Sequence, residues 1–408
     1  MADYGLIGEK LGHSFSAAIH KEFGYDYELR ELSPSEVADF MLHPPYLGFN
    51  VTIPYKQTVM PYLDEIHPYA LEIGAVNTVV VKNGKRLGYN TDFAGMKFAL
   101  DAYSIRPEGK DVLILGSGGT AHTARALMKS LHAKRIRTVS RMGELNYENL
   151  PIEGKDAEII VNTTPVGMYP DNDGCPVDLA WFPHLDGVFD AVYNPLTTRL
   201  VSRAKERGIA AGNGLVMLVA QAKFARDLFL ETPCDDAVIH DVVRKIERDK
   251  QNIVLVGMSG CGKTTIGKLL AERLNKTFVD TDEELIKIFR KPIPEVFRED
   301  GEEAFRAAEK QVVEALSKRN ASVIATGGGA PLSEVSRERL KQNAVTVYLT
   351  RNVNSLDRTG RPLAVSEQRV KEMLVMRDPI YRKAADFAVS NDGTPQEAVE
   401  KILEELKI

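Results

Sequence analysis

The sequence predicts an α/β protein of several domains, each built on a largely parallel sheet. Three observations lead there. Short apolar runs bounded by glycine (YGLIG, YLGFNVTI, DVLILG, AEIIVNTT, GVFDAV, NIVLVG, SVIATGGG and AVTVYLT) alternate along the chain with stretches of helical periodicity. That is the pattern of strands buried on both faces and joined by right-handed helical crossovers. Two strand–glycine–helix junctions, DVLILGSGGTAHTARALM and NIVLVGMSGCGKTTIGKLLAERL, each open a nucleotide-type unit of their own. Finally, 408 residues are too many for one core at about 100–200 residues per domain.

Composition removes several classes. A chain 44% hydrophobic and 27% charged is neither disordered nor fibrous. The longest apolar stretch, around Gly214–Ala222, is far short of the roughly 20 residues that span a bilayer. The start MADYGLIGEK lacks the basic and apolar segments of a secretory signal, so a cytoplasmic location and no membrane partner are expected. Cys175, Cys234 and Cys261 fit neither a disulfide framework nor a zinc spacing. Residues 1–249 hold 26 basic and 33 acidic side chains, and residues 250–408 hold 26 and 24. Neither half is basic enough to read as a nucleic-acid surface; small-molecule partners are expected.

Four polar clusters end strands or loops in the first ninety-odd residues: GHSFS, GFNVTIPYK, GAVNT and GYNTD. Taken singly, each has an ordinary alternative: Ser14 as a helix cap, Asn90 and Asp92 as turn or cap residues, Lys56 as a solvated ammonium. Next comes Gly116-Ser117-Gly118-Gly119-Thr120-Ala121, a G-x-G-x-x-A turn directly after an apolar strand. Such glycines permit a tight turn and let the backbone approach a pyrophosphate at a helix N-terminus. The following strand, IRTVS, ends at Ser140-Arg141. An arginine there, in place of the carboxylate that accepts from ribose hydroxyls, suits a 2′-phosphate and points to NADP over NAD; a solvated strand end is the plain alternative.

In the second half, Gly257–Thr264 is a complete G-x-x-x-x-G-K-[ST] loop between strand and helix. Gly260, Cys261, Gly262, Thr264 and Thr265 would surround the phosphates of ATP, Lys263 would reach the β/γ oxygens, and Thr264 would hold Mg2+. Cys261 reads as a small loop residue. Asp280 and Asp282 end the next strand; they are either magnesium and acceptor ligands or simply acids favoured at a helix N-terminus. Phe305-Arg306, TGGG at 326–329, Arg358 to Pro362 and Tyr381-Arg382 are spread over separate loops and helices, as donors to a small anionic acceptor would be.

Together the segments GHSFS, FNVTIPYK, GAVNT, YNTDFAG, the GSGG turn, NTTPVGM, DAVYNP and GLVMLVAQA resemble the shikimate dehydrogenase family from about Tyr4 to Lys245. The second half, from Asn252 onward, resembles shikimate kinase. The first resemblance implies a substrate-binding α/β domain (1–91 and 214–249) around a Rossmann NADP-binding domain (92–213). The second implies a P-loop α/β domain of the nucleoside-monophosphate-kinase type (250–408). The helix VIHDVVRKIERD would join the halves without a flexible linker.

By that likeness Ser14 and Ser16 hold the substrate carboxylate, and Thr52, Asn77, Asp92 and Gln221 hold ring hydroxyls, with Asn50 and Tyr193 close by. Lys56 is the acid/base group beside Asp92, and Gly214 lies at the cofactor. In the kinase half, Asp282 orients the acceptor hydroxyl and Asp280 supports the metal. Arg306 and Arg382 clamp the carboxylate beside Gly328 and Gly329, and Arg361 reaches the phosphates from a lid. The chain departs from the first family at Ser140-Arg141-Met142, where Asn-Arg-Thr is usual, and at Pro165. Quinate with NAD is an alternative first substrate and cofactor; a silent metabolite-sensing half is an alternative of a different class, against which Lys56, Asp92, Lys263 and Asp282 all stand.

Overall fold

A computed structural model describes residues 2–12, 14–356 and 367–407, which form two compact units, Met1–Arg248 and Asp249–Ile408. Arg358, Arg361 and Pro362 lie outside the described residues.

The first unit contains two sheets. In one, β1 (Tyr4–Gly8) runs parallel to β2 (Tyr27–Glu31) and β3 (Gly48–Val51). β4 (Glu65–Ile66), β5 (Thr78–Lys82) and β6 (Lys85–Tyr89) complete the order β2-β1-β3-β5-β6-β4. This sheet is mixed rather than parallel: β5 is antiparallel to both β3 and β6. The cause is local. Asn83 and Gly84 both have positive φ, +52° and +73°, as a two-residue hairpin turn requires. The register sets Asn50 opposite Thr78 and Thr78 opposite Tyr89. Three of the four polar clusters therefore end at one edge of this sheet.

The second sheet is fully parallel: β7 (Asp111–Leu115), β8 (Arg135–Val139), β9 (Ile159–Asn162), β10 (Gly187–Asp190) and β11 (Ala210–Gly212), in the order β11-β10-β9-β7-β8. Strand order reverses at β7, so the crevice beyond its carboxyl end is where this architecture takes a dinucleotide. Helices Asp92–Ala102 and Leu215–Leu230 pack together at Gly95, where an added Cβ would sit 2.8 Å from the Met217 carbonyl and 3.0 Å from the Gln221 amide. That approach brings the start of one helix to the middle of the other. Helix Ala237–Lys250 buries Ile239, Val242, Val243 and Ile246 in the core that also holds Phe15, Met96 and Val219.

The second unit is one parallel sheet of β12 (Asn252–Val256), β13 (Thr277–Asp280), β14 (Ser322–Ala325), β15 (Ala344–Thr350) and β16 (Phe387–Ser390), in the order β13-β14-β12-β15-β16. β12 is buried along its whole length, which explains its unbroken apolar sequence. The phosphate-type loop leaves its carboxyl end, with β14 and β15 on either side.

Candidate active sites in the two units

In the first unit the polar clusters converge. Lys56 Nζ lies 2.6 Å from Asp92 Oδ2, with both side chains largely buried. Asp92 opens the helix Asp92–Ala102. An added Cβ on Gly119 would be 3.8 Å from Lys56 Cδ, so the ion pair stands beside the glycine-rich turn. Around it Asn77 accepts from the Thr91 amide at 2.7 Å and donates to Thr91 Oγ1 at 3.1 Å. Gln221 Oε1 lies 3.5 Å from both Asn77 Nδ2 and Thr91 Oγ1. Thr52 sits at the end of β3, its amide donating to the Ile7 carbonyl. Asn50 is spent on the protein: it donates to the Asn77 carbonyl and Thr78 Oγ1, and Tyr27 OH donates to it at 2.6 Å. It braces the neighbours that face the site.

Ser14 does not cap its helix through its own position; Phe15 does, without a side-chain bond. Instead Ser14 Oγ lies 3.1 Å from Ser16 Oγ and accepts from the Ser16 amide. Tyr193 packs on Phe15 with ring centroids 5.1 Å apart, and its hydroxyl bonds Ser14. Burial pushes the Tyr193 phenol up, so it serves as a neutral hydroxyl. Neutral groups thus gather at one end, an ion pair at the other.

The turn itself is shaped for close approach. Gly116 has φ +106°, and a Cβ there would meet Thr163 Oγ1 at 2.9 Å. Gly118 faces open space, and helix Gly119–Ser130 starts after it with Thr120 in its first turn. Ser117 is exposed, as is Arg141 past the end of β8. Ser140 is occupied in closing its own turn, its amide donating to the Leu145 carbonyl. Gly214 begins helix Leu215–Leu230 with its amide given to the Val192 carbonyl, and a side chain there would strike the Ala191 carbonyl.

In the second unit a cavity of about 340 Å³ is lined by the loop residues Ser259, Gly260, Gly262, Lys263, Thr264 and Thr265 and by Asp280, Asp282, Thr326, Gly328 and Arg351. Lys263 is buried and donates to the carbonyls of Gly257 and Met258, both at 2.9 Å. Cys261 is a core residue, and its carbonyl accepts from Asn391 at 2.8 Å. Asp280 Oδ1 caps helix Thr281–Phe289 at the Asp282 amide, 2.9 Å, and Oδ2 accepts from Thr264 Oγ1 at 2.7 Å.

The acceptor side forms around the TGGG turn. An added Cβ on Gly327 would lie 2.6 Å from Asp282 Oδ1 and 3.1 Å from Glu309 Oε1, and one on Gly329 would run into the Arg306 guanidinium. Arg306 pairs with Glu309 at 2.7 Å and with Glu302. Burial and the Asp282 charge raise the Glu309 carboxyl, while Arg306 opposes them.

Arg382 is elsewhere. Its side chain is 60% exposed, pairs with Asp378 at 2.7 Å and lies over the Tyr348 ring. The arginine at the site is Arg377, whose Nη1 is 3.5 Å from the Gly328 carbonyl that also accepts from Tyr381 OH at 2.6 Å. Helix geometry explains the correction: 377 and 381 share one face of helix Glu367–Ala384, whereas 378 and 382 share the next. The signal available in the sequence was the i,i+4 spacing of RDPIY. Glu309 was likewise missed, three residues beyond Arg306.

These two sites define a dinucleotide-dependent oxidoreductase unit followed by a P-loop phosphotransferase unit. The shikimate dehydrogenase substrate-binding domain model matches residues 6–79, and the shikimate kinase model matches residues 259–407. The shikimate dehydrogenase (NADP(+)) of Clostridium perfringens is 34% identical over 265 residues, covering 60% of this chain and 98% of that protein. The crystal structure of shikimate dehydrogenase 1 from Peptoclostridium difficile has a TM-score of 0.57 at 31% identity, covering 60% of this chain and 98% of its own. A chorismate mutase/shikimate 5-dehydrogenase fusion from Clostridium acetobutylicum has a TM-score of 0.57 at 35% identity, covering 60% and 96%. The chain belongs to the shikimate dehydrogenase family and carries a shikimate kinase domain after it.

Proposed function

We propose that this is a bifunctional enzyme that reduces 3-dehydroshikimate to shikimate with NADPH and then phosphorylates shikimate with ATP, giving shikimate 3-phosphate. The observation that carries the first step is the Lys56–Asp92 pair standing at the glycine-rich turn. NADPH, when bound, supplies the hydride. As negative charge builds on the substrate's carbonyl oxygen, the Lys56 ammonium stabilises it and delivers the proton, while Asp92 fixes the lysine and accepts from the neighbouring hydroxyl. Ser14 and Ser16, steadied by Tyr193, donate to the carboxylate; Thr52, Asn77 and Gln221 orient the ring. Gly116, Ser117, Gly118, Gly119 and Thr120 suit the pyrophosphate, and exposed Arg141 suits a 2′-phosphate.

In the second step the loop amides and Lys263 hold the phosphates, and Asp282 takes the proton of the acceptor hydroxyl. Arg306 and Arg377 receive the carboxylate beside Gly328 and Gly329. Among the described residues no three His, Cys, Asp or Glu side chains gather as a metal site. The Thr264 hydroxyl and Asp280 carboxylate, 2.7 Å apart, nevertheless fit Mg2+, which takes few protein oxygens and completes its shell with phosphates and water. Bound there, the metal neutralises phosphate charge. The division proposed is into substrate-binding (1–91 and 214–249), dinucleotide-binding (92–213) and kinase (250–408) parts, and the separate sheets at 4–89, 111–212 and 252–390 support it. No helix among the described residues is long and apolar enough to cross a membrane.

The test is one incubation with 3-dehydroshikimate, NADPH, ATP and magnesium, read by product identity and time course. Shikimate 3-phosphate formed with NADPH consumption is expected. Shikimate accumulating alone would remove the kinase half of the proposal, and selective use of 3-dehydroquinate with NADH would remove the dehydrogenase half.

A further inference from the structure

Arg351 takes no part in the steps above, yet it lines the same cavity as Lys263, Thr264 and Gly262. It directly follows β15, and its backbone is fixed on both sides. The Thr350 carbonyl accepts from the Asn391 amide at 2.9 Å, and the Asn352 amide donates to Asp392 Oδ1 at 2.6 Å. β15 is itself pressed on the phosphate loop, since a side chain at Gly257 would strike the Leu349 carbonyl. Asn391 ties the next strand's end to the same loop through the Cys261 carbonyl. Arg351 is therefore carried on a rigid strand end and held at the loop by sheet geometry.

Its Nε is buried and has no hydrogen-bond partner among the described residues. Asp392 feels the arginine's charge, but both carboxylate oxygens of Asp392 are bonded elsewhere, Oδ1 to the Asn352 amide and Oδ2 to Ser390 Oγ at 2.8 Å. Of the other acids of the cavity, Asp280 bonds Thr264 and caps its helix, and Asp282 Oδ1 stands against Gly327 beside Glu309. A guanidinium with a desolvated, unbonded N–H is costly unless an anion completes it, and its planar fork matches phosphate oxygens.

We propose that Arg351 is a ligand of the nucleotide's phosphate chain, a strand-anchored cation that adds to Lys263. The inference rests on the ATP-dependent kinase reading of this unit. Its test is calorimetric binding of ADP, adenosine and shikimate to the full chain and to Arg351→Met and Arg351→Lys. Removing the charge is expected to weaken ADP about 10- to 100-fold, the loss of one hydrogen-bonded charged contact. Arg351→Lys should retain most of the affinity, and adenosine and shikimate should bind as before. Shikimate binds both units on the reading above, so the shikimate site that Arg306→Met abolishes reports whether the second unit is intact; if Arg351→Met lowers it, Arg351→Gln is measured in its place. Unchanged ADP affinity would overturn the assignment, and equal loss for adenosine and ADP would replace it with a contact to the base. Failure of the unaltered protein to bind ADP would overturn the kinase reading and this inference with it.

Discussion

Two arginines five residues apart offer a sharp test of the acceptor site. Arg377 reaches the Gly328 carbonyl on the face of its helix that also carries Tyr381, whereas Arg382 lies on the neighbouring face against Asp378 and Tyr348. Replacing Arg377 by methionine keeps an apolar stem and removes the guanidinium. A charge-assisted contact to a carboxylate contributes about 1.5–3 kcal/mol, or roughly 10- to 150-fold in kcat/KM for shikimate. Arg382→Met breaks only an exposed, solvent-screened ion pair, so at most a few-fold change follows. The assay supplies shikimate, ATP and magnesium without NADP and couples ADP release to pyruvate kinase and lactate dehydrogenase. A large loss in Arg382→Met with Arg377→Met near normal would refute the placement, because the helix would then present the other face to the substrate.

Three further outcomes follow from the geometry. Lys56→Ala should lower kcat for reduction by about 10²–10⁴, the usual contribution of a positioned proton donor, while shikimate phosphorylation by the same protein stays normal. Gly329→Ala sets a methyl group against the Arg306 guanidinium; KM for shikimate in phosphorylation should rise while the rate of NADPH oxidation is unchanged. His20 is fully buried, and burial pushes its imidazole down to about 3. Because the folded-state value lies below the unfolded value of about 6.5, the stability it permits is complete above pH 6.5 and is lost as pH falls toward 3, by up to about 5 kcal/mol. The urea midpoint for loss of reductase activity should therefore fall with acid, and His20→Phe should flatten that slope; an unaltered slope would sink the assignment.

The parallel strands were legible because burial on both faces leaves an unbroken apolar run, as in DVLIL and NIVLV. The β5–β6 hairpin was not, although Asn83-Gly84 marks it, because the clusters GAVNT and GYNTD overlap its outer ends and β6, KRLGY, has no apolar run. Lys56 and Asp92 come together as the sequence suggested, since a sheet edge and a helix start have fixed positions once the strands pair. Asn50 was harder. Nothing in FNVT shows that Tyr27, Asn77 and Thr78 consume its amide, for that depends on strand register. Arg382 was misplaced for a similar reason: adjacency to Tyr381 in sequence is a 100° turn away in space, and the residue sharing the tyrosine's face lies four positions earlier.

On the reading proposed above, the two sites hold the same carboxylate with opposite chemistry, and the reaction at each explains why. Reduction brings together a carbonyl and a hydride donor, and the transition state gains one local charge at the oxygen. A single ammonium already paired to Asp92 can meet that charge, while hydroxyls from Ser14 and Ser16, in the role proposed for them, would hold the far end without adding a field that competes for Lys56. Phosphoryl transfer starts from a crowded polyanion that must approach another anion, the acceptor's carboxylate. That repulsion falls steeply when cations are fixed along the path, and Lys263, Arg306 and Arg377 come from three separate helices. Asp280, Asp282 and Glu309 then prevent an unpaired excess of positive charge: Asp280 accepts from Thr264, Asp282 stands against Gly327 and Glu309 pairs with Arg306. An arginine clamp transplanted into the first site would bind shikimate well and slow its formation, because it would draw charge away from the carbonyl that Lys56 has to protonate.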